Sequence, residues 1–337
     1  MYRKEECKTQ AKSSGVLHFI SQRQVQIMDT QTVFWGEKRY RSLDYHLKEK
    51  FGHKIYKLSL NGGMTCPNRD GTLGYRGCIF CSAGGSGDFT PDSRLSVKEQ
   101  IESARSLVAR KYNGSSYIAY FQAYTNTYAP CSYLREIFTA AISCPDISAL
   151  SIATRPDCLG GDVLKLLEEL NRIKPVWVEL GFQTMHEDTA QFIRRGYDTE
   201  VFEAALSALR ARNIETIVHV ILGLPGEDDA QMLDTVRFLN KHDIQGIKLQ
   251  LLHILKDTDL ADYYGSHPFR ILSMDEYLYI VGKCIASLRP DIVIHRLTGD
   301  APKSLLIAPL WSANKRQVLN RMHAYLKEND IWQGKEL

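Results

Sequence analysis

Three cysteines of this chain share one glycine-rich loop, Asn61-Gly-Gly-Met-Thr-Cys66-Pro-Asn-Arg-Asp-Gly-Thr-Leu-Gly-Tyr-Arg-Gly-Cys78-Ile-Phe-Cys81. The two-residue gap between Cys78 and Cys81 lets both thiolates reach one metal centre. The loop's glycines allow the backbone to take positive φ and close in on a compact inorganic group. Three thiolates ligate three irons of a [4Fe-4S] cube, which leaves the fourth iron with open positions for a small molecule. A structural zinc would ask for a fourth protein ligand. The loop holds no His and no further Cys, and His53 lies upstream. Zinc, and three unconnected core thiols, stand as the alternatives.

The elements around this loop form a regular series. Short β-rich runs recur at 55–60, 117–122, 150–154, 176–182, 217–222, 247–252 and 292–297, with helical stretches between them. Val163, Leu164, Leu166, Leu167 and Leu170 share a helical face, as do Phe202, Ala205, Leu206 and Leu209. The run Val218–Leu222 is almost continuously apolar, as a strand buried on both faces should be. Alternating strands and helices predict parallel strands with crossover helices, hence an α/β fold built as a full or partial (β/α) barrel. The cysteine loop follows the first strand.

The chain has 337 residues, 44% hydrophobic and 24% charged, which is enough to bury a substantial core. No apolar run approaches the roughly 18 residues that cross a bilayer, and no signal-peptide core follows the N-terminus, so a cytoplasmic protein without a membrane partner is expected. Residues 1–33 lack periodicity and read as a poorly ordered or weakly helical extension; 34–300 form the core domain; 301–337 form a C-terminal helical extension, with a helix expected over 314–327. The net charge of +3 hides an asymmetry, because the first 60 residues carry twelve Lys or Arg against six Asp or Glu. A solvated leader explains that excess, and so does a surface facing a polyanion.

A cysteine triad after the first strand of such a barrel resembles the radical S-adenosylmethionine (SAM) superfamily. The phrase Cys66-Pro-Asn-Arg-Asp-Gly-Thr with Cys78-Ile-Phe-Cys81 is similar to its YhcC/YtqA branch, related to the elongator catalytic-subunit-like radical SAM domain. The eleven-residue gap between Cys66 and Cys78 is longer than the superfamily's common spacing and suits that branch. The resemblance runs from about Trp35 to Asp330 and implies a barrel of six core βα units. It implies a [4Fe-4S] cluster on Cys66, Cys78 and Cys81, with SAM chelating the open iron. It further implies reductive cleavage of SAM to a 5′-deoxyadenosyl radical, an electron donor such as flavodoxin or ferredoxin, and action in tRNA wobble-uridine modification.

By position, the resemblance assigns SAM contacts to Gln122, Thr125 and Asn126 after the second strand and to Thr154 and Arg155 after the third. It adds Glu179 and Gln183 on the fourth, one of Arg194 and Arg195 beyond it, and the Gly223–Pro225 turn after the fifth. Glu179 also interrupts an apolar strand, and a buried carboxylate needs a partner. His219 reads as a hydrogen-bonded core histidine, while His253 and His295 are expected nearer the substrate. Arg296 and Asp300 could floor the active site. Cys131, Cys144, Cys158 and Cys284 read as buried small hydrophobes. Lys38, Arg39, Arg41, Lys48, Lys50 and Lys54 precede the first strand and are expected beside the barrel mouth, contacting RNA phosphates. The alternatives are a non-catalytic, metal-stabilised RNA-binding protein and a radical enzyme with a small-molecule substrate.

Overall fold

A computed structural model describes residues 34–109, 112 and 114–337 of the chain. The expected N-terminal extension, 1–33, lies outside the described residues. Seven strands form one sheet: β1 (Tyr56–Leu60), β2 (Tyr117–Phe121), β3 (Ile147–Thr154), β4 (Val176–Gln183), β5 (Glu215–Leu222), β6 (Gly246–Leu251) and β8 (Val293–Arg296). The spatial order follows the chain, and every neighbouring pair is parallel. Two short strands, β7 (Ile254–Leu255) just after β6 and β9 (Leu306–Ala308) after β8, pair with each other antiparallel. The sheet curls into a half-barrel with helices outside, a partial TIM barrel.

Alternation along the strands sorts the side chains. Leu58, Leu60, Ala119, Phe121, Leu150, Ile152, Val178, Leu180, Val218 and Val220 pack with the crossover helices into the main core. Helix Thr199–Arg210 contributes Phe202, which stacks on Phe182 at 4.2 Å between ring centres. The other face is concave. Near the strand starts it is closed by helix Leu43–Phe51, whose Leu47 packs on Ile118, Ala149, Trp177 and Ile217. Ser42 caps that helix through a side-chain bond to the Tyr45 amide.

The edge strand β8 is not left bare. The Ile294 amide donates to the Arg41 carbonyl at 2.7 Å, which extends the ladder by one bridge. Helix Lys315–Glu328 follows the last strands and buries Val318, Met322 and Leu326, close to the expected 314–327. Gln333 accepts from the Arg41 amide at 2.8 Å and donates to the Ile292 carbonyl at 2.8 Å, tying the C-terminal segment to the entry into the barrel.

The sheet thereby directs every loop that follows a strand to one rim. The cations of the entry segment lie at the other end. Lys50 pairs with Glu215 at the start of β5, and Arg41 donates to the Asp291 carbonyl just before β8. Arg39 pairs with Asp330, Arg41 with Glu49 and Lys48 with Asp44. The expectation that these residues flank the mouth is therefore corrected: they lie on and around helix Leu43–Phe51 under the strand starts, and acids pair with Arg39, Arg41, Lys48 and Lys50.

Phe202→Ala should cost about 3–5 kcal/mol, the usual cost of emptying a buried aromatic site. Leu107→Ala, at a side chain that is 69% exposed, should stay within about 0.5 kcal/mol. Urea unfolding midpoints of the two variants measure the difference.

Candidate active site

One cleft opens at the C-terminal ends of the strands, where ligand sites of such barrels sit. Its lining includes Cys66, Cys78 and Cys81 together with Gln122, Thr125, Thr154, Arg155, Glu179, Gln183 and Arg195. The cysteine loop turns tightly here: the Arg69 amide donates to the Cys66 carbonyl, and the Cys81 amide to that of Cys78 at 3.0 Å. Gly77, at φ +75°, allows its amide to reach the Asn68 carbonyl at 2.7 Å. Asn68 Nδ2 donates to the Arg194 carbonyl at 2.7 Å and approaches Cys78 Sγ at 3.5 Å. Arg69 donates to the Cys81 and Ser82 carbonyls. The loop is thus sewn to the segment after β4, and the Ile79 amide completes the seam by donating to Ile193.

The thiols are half-buried in the cleft wall. Burial pushes Cys78 up to about 12 and also raises Cys81, so both are ordinary protonated thiols unless a cation takes the proton's place. Among the described residues no three His, Cys, Asp or Glu side chains converge on a single metal ion. A soft, all-sulfur donor set spread around one cleft fits an iron-sulfur cluster, whose irons stand at separate corners.

Thr127 and Thr154 share a hydroxyl bond at 2.5 Å, which fixes the β3 end. Arg155 is held by Asp157 at 2.7 Å and donates to the Arg195 carbonyl at 2.9 Å. Arg195 itself is only 2% exposed and donates to Thr184, Tyr197 and Glu187. Gln122 donates to the Ser86 carbonyl and accepts from Ser59. Gln183 differs from all of these. It sits at φ +71°, and its buried Oε1 has no hydrogen-bond partner among the described residues. An orphaned acceptor lining a cleft fits a bound polar ligand.

Below them lies a polar interior. Glu179 is fully buried and is held by Lys57, Lys248, the Ser151 hydroxyl at 2.7 Å and His219 at 2.8 Å. Despite its burial, Lys248 and Lys57 hold its carboxyl well below the usual range. Burial lowers Lys248 to about 7 and His219 to about 4, so the imidazole is neutral near pH 7. The Lys248 ammonium also reaches the Tyr120 hydroxyl at 3.1 Å.

Four of the residues named from the sequence do not line this cleft. Asn126 is buried and donates to the Ala153 carbonyl, Arg194 pairs with Asp259 in a separate cleft, Gly223 lies against Leu272, and Pro225 lines a groove with His186 and Phe192. His253 bonds Ser312, and His295 lies near Arg41, His46 and Trp177 under the strand starts. Lys57, Lys248 and Tyr120 went unnoticed in sequence. Their signal was alternation: Lys57 with Ser59, and Lys248 with Gln250, place polar groups on one face of strands whose other face is apolar.

A model of the Radical SAM superfamily matches residues 66–239, and one of the Radical_SAM C-terminal domain matches 244–328. YtqA of Bacillus subtilis is 44% identical over 299 residues, covering 89% of this chain and 93% of that protein. The chain belongs to the radical SAM superfamily, in its YhcC/YtqA branch. As a superfamily member it is an enzyme that uses a [4Fe-4S] cluster and SAM. Farther off, a tRNA uridine(34) acetyltransferase of Methanocaldococcus jannaschii is 23% identical, over 54% of this chain and 33% of that protein. The structure of Elp3 from Methanocaldococcus infernus superposes with a TM-score of 0.63 at 13% identity, over 83% of this chain and 64% of that one, and so shares the fold. No helix among the described residues is long and apolar enough to cross a membrane.

Glu179→Ala leaves the buried Lys248 and the half-buried Lys57 without their counter-ion and should cost about 3–5 kcal/mol in urea unfolding. Acid should also destabilise the fold. His219 is neutral when folded down to about 4 but takes up a proton near 6.5 when unfolded. The unfolded state binds the extra proton between those values, so stability falls as pH drops through that window. His219→Gln should flatten the slope of unfolding free energy against pH there.

Proposed function

We propose that Cys66, Cys78 and Cys81 carry the cluster in this cleft, and that SAM lies over the strand ends beside Gln183, Thr154 and Arg155. The observation that carries the reading is a single cleft lined both by the three loop thiols and by the unpartnered Gln183 oxygen. Held by these thiols, a reduced cluster would supply the electron for reductive cleavage of SAM, and SAM the radical chemistry on the substrate. The chain's own work is to hold and shield. Asn68 and Arg69 brace the cysteine loop, Gln183 supplies an acceptor, and Arg155 and Arg195 pin the loops that wall the cleft. Gln122, Thr125 and Thr154 add donors along the rim, and Glu179 supports it from beneath.

The substrate in this reading is tRNA, modified at a wobble uridine. Similarity to a tRNA uridine(34) acetyltransferase supports it. With the entry-segment cations at the far end, phosphate contacts fall to the rim instead. Lys256 and Lys303 are exposed in loops that follow β6 and β8, joined by a bond from the Lys256 amide to the Leu305 carbonyl at 2.8 Å. Neither makes an ion pair with a described residue. An electron donor such as flavodoxin or ferredoxin supplies the electron.

Cys66→Ala, Cys78→Ala and Cys81→Ala should each lose the cluster's visible absorption after anaerobic reconstitution, whereas Cys284→Ala, buried in helix Met274–Ala286, should keep it. Iron content unchanged in all three loop variants would remove the ligand assignment. Gln183→Ala should keep iron but bind SAM roughly fivefold to tenfold more weakly, the effect of one lost hydrogen bond. For the substrate, a Lys256→Ala/Lys303→Ala double variant should lower tRNA affinity and shallow its salt slope by about two, whereas Lys38→Ala should not. A normal tRNA nucleoside profile in a deletion strain, with no tRNA binding at low salt, would contradict the tRNA reading.

A further inference from the structure

The part of the cleft wall supplied by β6 and β8 is rich in cations. The loop follows β1, at one edge of the sheet; β6 and β8 form the other edge. There Lys248 and Arg296 are register partners on adjacent strands, and both line the cleft with Gln250 and Tyr120. Glu179 must serve Lys57 and Lys248 together, and His219 is neutral, so one carboxylate is shared by two lysines, even though burial lowers Lys248 to about 7. Arg296 adds a third cation. Its nearest acid is Asp300 at 3.3 Å, which Lys315 engages more closely at 2.6 Å.

The Arg296 guanidinium, 27% exposed, is engaged through one nitrogen only, in the 3.3 Å pair with Asp300, and the Gln250 side-chain amide lines the cleft beside it. A guanidinium offers a planar fork of donors that matches a two-oxygen anion. Excess positive charge inside a low-dielectric cleft strengthens such a contact.

We propose that this wall is an oxyanion pocket, in which Arg296, with Lys248 and Gln250 beside it, holds an anionic group of the substrate close to its reacting part. The group is a carboxylate or a phosphate. The inference rests on the reading of this cleft as the radical site, and it adds to the uridine base an anion that anchors it.

The test uses the full chain with cluster and SAM, reduced anaerobically so that the cluster is paramagnetic. The NMR relaxation of 13C-labelled acetate and of the 31P of inorganic phosphate is measured at fixed ionic strength as each is titrated. Saturable relaxation enhancement of one of them is expected, and its identity tells carboxylate from phosphate. Arg296→Gln should weaken that binding about tenfold to a hundredfold, the range for a lost charge-assisted hydrogen bond. Arg296→Lys should lose less. Should Arg296→Gln fail to fold, Arg296→Lys and Gln250→Leu are read by the same titration. Cluster absorption measured on each sample separates the two claims. If the cluster is intact and neither anion shows saturable enhancement, or the variants match the parent chain, the oxyanion pocket is overturned while the radical site stands. If the parent chain assembles no cluster, the reading beneath it fails instead.

Discussion

The buried Glu179 carboxylate organises the inside of the half-barrel. A lone carboxylate there would be expelled or neutralised, since transfer of an unpaired charge into the interior costs several kcal/mol. Two lysines, a histidine and a serine hydroxyl converge on it from β1, β3, β5 and β6, so four strands are linked through one side chain on β4. That arrangement permits polar groups where most strand positions are apolar. The cleft above it thereby gains a charged, hydrogen-bonding floor in place of a greasy one.

The same economy of position governs the upper rim. The cysteine loop has no regular structure to hold it, so its shape comes from bonds to its neighbours. Asn68 reaches the Arg194 carbonyl, Ile79 the Ile193 carbonyl, and the Leu260 amide returns to Ile79. Asp259 pairs with both Arg76 from the loop and Arg194 from the segment after β4. Arg194 and Arg195 therefore divide two tasks within one turn. Arg194 staples the loop from outside, while Arg195 is buried and pins the β4 exit from within. Both brace the cleft that the thiols and Gln183 line.

Much of this was legible in the sequence, for a definite reason. Strands buried on both faces must be apolar throughout, so β4, expected over 176–182 and found over Val176–Gln183, announced itself. β3 starts earlier than expected, at Ile147, because the sequence before Leu150 is too short and mixed to show a period. The two-stranded β7 and β9 pair is set by tertiary contact and has no pattern of its own. Loop order along the chain gave the rim residues, because parallel strands deliver every following loop to one edge. Side-chain direction was not legible. Nothing in a pair such as Thr125-Asn126 or Arg194-Arg195 tells which member turns towards the cleft. The entry-segment cations looked adjacent to the mouth only because a helix that runs beneath the sheet cannot be oriented from sequence.

The chemistry of the cleft depends on one condition, that the three loop thiols hold a cluster whose open iron takes SAM. Electron paramagnetic resonance of the reduced, reconstituted chain tests it directly, with spectra recorded before and after SAM is added. The expected result is a [4Fe-4S]+ signal whose g-values change when SAM binds. Gln183→Ala should give the same signal, with that change displaced to about fivefold to tenfold higher SAM concentration. A cluster signal indifferent to saturating SAM in the parent chain would contradict the assignment.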